Sequence, residues 1–151
     1  MDTTDSSSFP QLLRVLLVED NPQHSFVAVT VLHQLLGEGS EIFVAERAAE
    51  ALELLDQFTP HDRPDLILVD LGLPDGSGLA VLSAVSAHQA CAHVPMLVIT
   101  SSFYEQDVAQ SYHLGAAAVL GKPLSRSSLR EELVRIGSLT APLSSVRSIS
   151  H

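Results

Sequence analysis

The chain has 151 residues, 46% of them apolar, enough for the core of one ordinary domain and too few for a second. Eighteen acidic against eight basic side chains give a formal charge of -10, which repels phosphate backbones. With no Trp and 5% aromatic residues, stacking platforms for single strands are also lacking, so no nucleic-acid partner is expected.

The first ten residues, MDTTDSSSFP, lack the basic start and apolar run of a signal peptide, and residues 1–11 read as a loose tail. No uninterrupted apolar segment reaches the ~18 residues that span a bilayer. The lone cysteine, Cys91, cannot form an internal disulfide and reads as a small hydrophobe. A soluble, cytoplasmic protein with no membrane partner is expected.

Leu12 to Val18 is apolar except for Arg14 and predicts a buried strand that ends on the carboxylates Glu19 and Asp20. Asn21-Pro22 stops it. Pro22 suits the first turn of a helix capped by Asp20 or Asn21, in which Phe26, Val29 or Thr30, Leu32 or His33 and Leu36 share a face before Gly37 and Gly39 end it. Glu41 to Ala45 predicts a second strand. A second helix follows, with Ala48, Ala51, Leu52, Leu55 and Phe58 on one face, and Pro60 and Pro64 frame the linker beyond it.

Leu66 to Val69 is a continuous apolar run, as expected of a strand buried on both faces of a parallel sheet, and it ends on Asp70. The following Leu71 to Gly76 has turn chemistry, with Asp75-Gly76 as the turn and Ser77 as N-cap of a third helix beginning near Gly78. Leu79, Leu82 and Val85 or Ser86 mark that helix to about His88. Val94 to Thr100 predicts the fourth strand, Tyr104 to His113 the fourth helix, Ala116 to Gly121 the fifth strand, and Ser125 to Ile136 a fifth helix with Leu129, Leu133 and Ile136 inward. Residues 138–151 are serine-rich and read as a tail.

Five strands alternating with five helices predict an α/β fold: a parallel sheet with helices on both faces. Right-handed crossovers and the strand order 2-1-3-4-5 put the first and third strands side by side. Glu19, Asp20 and Asp70 then converge at the carboxyl ends of the strands, where ligands of open α/β sheets bind.

Three carboxylates ~5 Å apart repel one another by roughly 3 kcal/mol per pair at an effective dielectric of about 20. A hard divalent cation relieves this, and Mg2+, which takes one or two carboxylates and keeps several waters, fits best. The carbonyl of Gly72 is a further expected ligand. With a metal anchored, Asp70 can act as a nucleophile toward phosphorus, giving an aspartyl phosphate. Lys122 supplies a cation from the rim of the fifth strand. Thr100 offers a hydroxyl from the rim of the fourth, with little to reach until a phosphoryl group is present. Its repositioning with the Ser101 to Tyr104 loop would act as a switch.

Glu19-Asp20, Asp70, Thr100 and Lys122-Pro123, each at a strand end and in this order, resemble the signature of response regulator receiver domains of two-component signalling. The resemblance covers residues 12–137, which are expected to form the receiver domain with a flavodoxin-like sheet. It implies that Glu19, Asp20 and Asp70 bind Mg2+, that a sensor histidine kinase is the phosphodonor to Asp70, and that the Lys122-Pro123 bond is cis. Without an output domain the chain resembles the single-domain regulators associated with phytochromes, which implies a bacteriophytochrome as the kinase. The family's switch carries Tyr or Phe three positions before the lysine. Val119 stands there, leaving Phe103 or Tyr104 as substitutes. Gly72 and Ser102 occupy positions that tune phosphoryl lifetime in the family, and a short lifetime is expected.

Taken singly, each residue has a plain explanation: Glu19-Asp20 as helix-capping acids, Asp70 as a turn former, Thr100 as a β-branched strand residue, Lys122 as a surface charge. Their joint placement at the ends of strands one, three, four and five favours the site. The seven histidines have no metal-ligand spacing and read as surface or rim residues. Arg126, Arg130 and Arg135 with Glu131-Glu132 read as a charged helix surface. The last strand and last two helices could form a homodimer face, with Leu120, Leu124 and Leu143 as apolar surface. The expected activity is limited to self-phosphorylation and self-dephosphorylation, with a phosphorelay intermediate or phosphate sink as the alternative. A phosphatase of haloacid dehalogenase type would need a second acid two residues after the nucleophile, where Gly72 stands.

Overall fold

The computed structural model describes residues 13–74 and 78–137. The expected tails, the start of the first strand at Leu12, the Asp75-Gly76 turn, the Ser77 cap and Leu143 lie outside them. Five strands, β1 (Arg14–Val18), β2 (Glu41–Ala45), β3 (Leu66–Asp70), β4 (Met96–Thr100) and β5 (Ala118–Gly121), alternate with five helices: α1 (Pro22–Leu36), α2 (Ala48–Gln57), α3 (Gly78–Ala87), α4 (Glu105–His113) and α5 (Arg126–Arg135). The strands form one parallel sheet in the order β2-β1-β3-β4-β5. The predicted topology is observed.

The apolar runs work because both faces of the sheet are covered. Val15 and Leu17, Leu66 and Leu68, Leu97 and Ile99 turn to the side of α1 and α5; Leu16 and Val18, Ile67 and Val69, Met96 and Val98 turn to the side of α2 and α3. Ser111 of α4 is buried, and Leu114, just beyond that helix, packs into the second core. β4 and β5 each begin two residues later than expected, β4 because Pro95 has no N–H to add to the ladder and β5 because its register against β4 starts with Ala118 opposite Leu97. The Pro95 carbonyl instead accepts from Ile67 N at 3.0 Å. Arg14, the polar residue in the first apolar run, is used at the opposite end of the sheet from Asp70. Its Nε donates to Glu41 Oε1 at 3.0 Å, its guanidinium bonds the Asp62 carbonyl and it lies over the Phe43 ring.

Asn21 caps α1, accepting from Gln23 N at 2.8 Å and His24 N at 3.1 Å, with Pro22 in the first turn. The buried stripe of α1 is Ala28, Val31, Leu32, Leu35 and Leu36, whereas Phe26 is 72% exposed. Phe26 lies about 200° around the helix from Ala28, so it cannot share the inward face. In α2 the inward residues are Ala48, Ala51 and Leu55. Leu52 is exposed, and Phe58, just past the helix, packs edge-on against Phe43. Leu120 and Leu124 belong to the core and offer no dimer surface. Arg135 pairs with Glu132 at 2.6 Å, one turn away on α5, as the charge pattern predicts.

Two outcomes follow from this packing. A Cβ at Gly78 would lie 2.5 Å from the Asp70 carbonyl oxygen and 2.9 Å from Leu71 Cα, so Gly78→Ala must push α3 off the backbone that carries Asp70. Urea unfolding is expected to show a loss of about 2 kcal/mol. Cys91 is fully buried, and burial pushes its thiol pKa up. It should resist a thiol-alkylating reagent at neutral pH in the native protein and react freely in denaturant.

Candidate functional site

The backbone bonds of the sheet continue one residue past the strands at the site. Glu19 N donates to Ala45 O at 2.8 Å, Leu71 N to Ile99 O at 3.3 Å, and Lys122 N to Thr100 O at 2.9 Å. These bonds set the exit directions of β1, β3 and β5 at one end of the sheet, so residues far apart in sequence meet over one crevice. The Lys122-Pro123 peptide directly after it is cis.

Glu19, Asp20 and Asp70 each present a carboxylate oxygen within 4.8 Å of the others. Glu19 and Asp70 are buried, at 1% and 5% exposure. Asp70 Oδ1 accepts from Gly72 N at 3.0 Å, and Glu19 Oε2 accepts from Asn21 N at 3.1 Å. Lys122 fills the space between, with Nζ 3.1 Å from Asp70 Oδ2 and 2.7 Å from Glu19 Oε1. The Glu19 contact is an ion pair without hydrogen-bond alignment, which leaves the buried Oε1 without a bonded donor.

Burial pushes the Glu19 carboxyl above its usual pKa, assisted by the neighbouring charge of Asp70 and opposed by Lys122 and the Asn21 N–H. Burial works against the charge on Lys122, but its close pairing with the Glu19 and Asp70 carboxylates outweighs it and holds the ammonium above the ordinary lysine value. An all-oxygen donor set, an excess of negative charge and an unbonded buried Glu19 oxygen together suit a hard divalent cation.

The crevice opens into a cleft of about 290 Å³. Thr100, 5% exposed, turns its hydroxyl to its own loop, donating to Ser102 O at 2.7 Å and accepting from Ser102 N at 3.2 Å. The expectation that it would have little to reach therefore needs correction: the loop supplies its own partner. Val119 is half-buried in the second core, and the exposed Phe103 ring lies against the backbone at Gly121, its Cε2 3.2 Å from where a Cβ there would stand. Tyr104 and Asp107 also line the cleft.

One participant escaped recognition in the sequence. His24, in the first turn of α1, places Nδ1 3.0 Å from Lys122 Nζ and 3.9 Å from Glu19 Oε2. The signal that could have found it is its place one turn after the acidic pair, on the helix that starts from their loop.

Comparison with known proteins agrees with this geometry. Residues 15–134 match the family model described as the response regulator receiver domain. The KDP operon transcriptional regulatory protein KdpE of Escherichia coli K12 is 33% identical over 135 residues, 87% of this chain and 56% of KdpE, so the chain spans about half the length of that relative. The bacteriophytochrome response regulator AtBRR is 33% identical, with a TM-score of 0.71 over 84% of this chain and 94% of that one. The receiver domain of the sensor histidine kinase PA1611 from Pseudomonas aeruginosa PAO1 is 27% identical. Its TM-score is 0.70 over 82% of this chain and 96% of that one, and its structure has a magnesium ion coordinated in the active site cleft. With four-fifths of its length matched and its fold shared, the chain belongs to the response regulator receiver domain family, with bacteriophytochrome response regulators among its structural neighbours.

Proposed function

We propose that this receiver domain takes a phosphoryl group from a sensor histidine kinase onto Asp70, with Mg2+ held by Glu19, Asp20, Asp70 and the Gly72 carbonyl, and thereby changes the surface it offers to a partner. The observation that carries the reading is the meeting of three carboxylates within 4.8 Å of one another with the Lys122 ammonium 3.1 Å from Asp70 Oδ2. When bound, the metal would supply Lewis-acid stabilisation of charge on phosphoryl oxygens.

An Asp70 carboxylate oxygen attacks phosphorus of the donor phosphohistidine. The O–P bond forms, the P–N bond breaks, and its electron pair leaves on the imidazole, which takes a proton from solvent. Lys122 stabilises charge on the phosphoryl oxygens. Thr100 exchanges its bond to the Ser102 carbonyl for a phosphoryl oxygen, which pulls on the loop leading to α4. Attack of water on the aspartyl phosphate restores the carboxylate and releases phosphate, and Gly72 and Ser102, small side chains beside Asp70 and Thr100, favour a short lifetime.

The bacteriophytochrome assignment of the kinase rests on the resemblance to AtBRR, and a cytoplasmic location follows from such a donor. A homodimer through α4, β5 and α5 would use the exposed Phe103, Tyr104 and Tyr112 in place of the buried Leu120 and Leu124. A phosphatase of haloacid dehalogenase type is disfavoured because Gly72 brings no carboxyl to act as general acid.

Incubation with acetyl phosphate and Mg2+ is expected to add the mass of one phosphoryl group to the intact protein. Asp70→Asn should add none, and chelation of the metal should slow the gain by about 100-fold. An equal gain in the Asn variant would remove Asp70 from the role. Size-exclusion chromatography of the same samples reads the change in assembly.

A further inference from the structure

An ammonium has three protons and directs them roughly tetrahedrally. Around Lys122 Nζ stand three acceptors: Glu19 Oε1 at 2.7 Å, Asp70 Oδ2 at 3.1 Å and His24 Nδ1 at 3.0 Å. The first two come from the acidic crevice. The third comes from the first turn of α1, whose start is held by the Asn21 cap; one capping bond goes to the backbone N–H of His24 itself, at 3.1 Å. The ring is therefore carried on a fixed backbone, with its side chain 46% exposed. Because the lysine carries the protons, Nδ1 meets it as an acceptor wherever that nitrogen presents its lone pair.

The acidic partners alone leave the ammonium unevenly held. Glu19 pulls it by charge without an aligned hydrogen bond, and the Asp70 oxygen it touches belongs to the side chain that is to be modified. When Asp70 becomes an acyl phosphate, the charge moves from that carboxylate oxygen to the phosphoryl oxygens, and the ammonium must keep its place while its partner there changes.

We propose that His24 is a positioning residue: its Nδ1 is the acceptor outside the acidic crevice that fixes the Lys122 ammonium in place, so that one N–H stays aimed at Asp70 and the phosphoryl group it receives. The effect on phosphorylation rests on the reading of Asp70 as acceptor; the fixing of the ammonium does not. A carboxylate at 24 would add a further negative charge beside Glu19, whereas an imidazole takes the proton's direction without competing for the cation.

Two measurements test it, one of them on the unphosphorylated protein. The 1H–15N signal of the Lys122 ammonium is expected to be visible in the wild type and in His24→Asn, whose side-chain oxygen stands at the level of Nδ1. It should be lost to solvent exchange in His24→Leu and in His24→Gln, whose oxygen stands one atom too far. The rate of phosphoryl gain from acetyl phosphate should fall about five-fold in the Leu and Gln variants and stay within about two-fold of wild type in the Asn variant, the loss expected for one hydrogen bond to a charged group at a half-exposed site. Thermal unfolding is compared in all four proteins, and the same order of rates must hold between variants of equal stability. An ammonium signal as sharp in His24→Leu as in the wild type overturns the proposal, as do equal rates in the Leu and Asn variants. Should the wild type take up no phosphoryl group, the reading of Asp70 fails and takes the rate effect with it. The ammonium signal then still decides whether His24 holds Lys122.

Discussion

Lys122 stands where it does because Glu19 and Asp70 are both buried and both acidic, and a pair of carboxylates at that separation needs a cation. At an effective dielectric of about 20, like charges ~5 Å apart repel by roughly 3 kcal/mol. The sheet places the two acids on adjacent strands, and the cation comes from the far side of β4. Most of the rim follows from holding these three groups in register. The bonds that run one residue past the strands, the cap that starts α1 and the bare Gly78 against the Asp70 backbone all constrain the same crevice.

Such a crevice is balanced for exchange. Lys122 does not cancel three carboxylates, so negative charge remains to attract a divalent ion. Thr100 already has a partner in its own loop, at 2.7 Å from the Ser102 carbonyl. In the switch proposed above, Thr100 would trade one hydrogen bond for another, and a ligand would favour the second arrangement only by its differential affinity for it.

Strand ends, sheet order and the convergence of Glu19, Asp20, Asp70 and Lys122 were legible in the chain because they depend on periodicity and topology, which local sequence encodes strongly. The rotation of α1 was less so. Phe26, Val27, Val29 and Val31 put apolar groups on every side of its first half, and only packing against the sheet selects the stripe beginning at Ala28. The partnership of His24 with Lys122 joins residues 98 positions apart through side chains, and the place of His24 one turn after the acidic pair points to the crevice without naming that partner. The burial of Leu120 and Leu124 likewise follows from neighbours that only the folded chain supplies, whereas the bond of Thr100 to Ser102 is a local turn that a Thr two residues ahead of a loop serine permits.

Arg14 marks the other end of the sheet. Its guanidinium is shared among the Glu41 carboxylate, the Asp62 carbonyl and the Phe43 face, while Asp65 accepts from its backbone N–H at 2.9 Å. That end is cross-braced around one guanidinium, whereas the rim around Asp70 carries surplus negative charge and a loop closed on itself through Thr100 and Ser102. The two poles are thereby unlike: a braced floor beneath an acidic mouth whose charge, among the described residues, no nearby lysine or arginine fully balances.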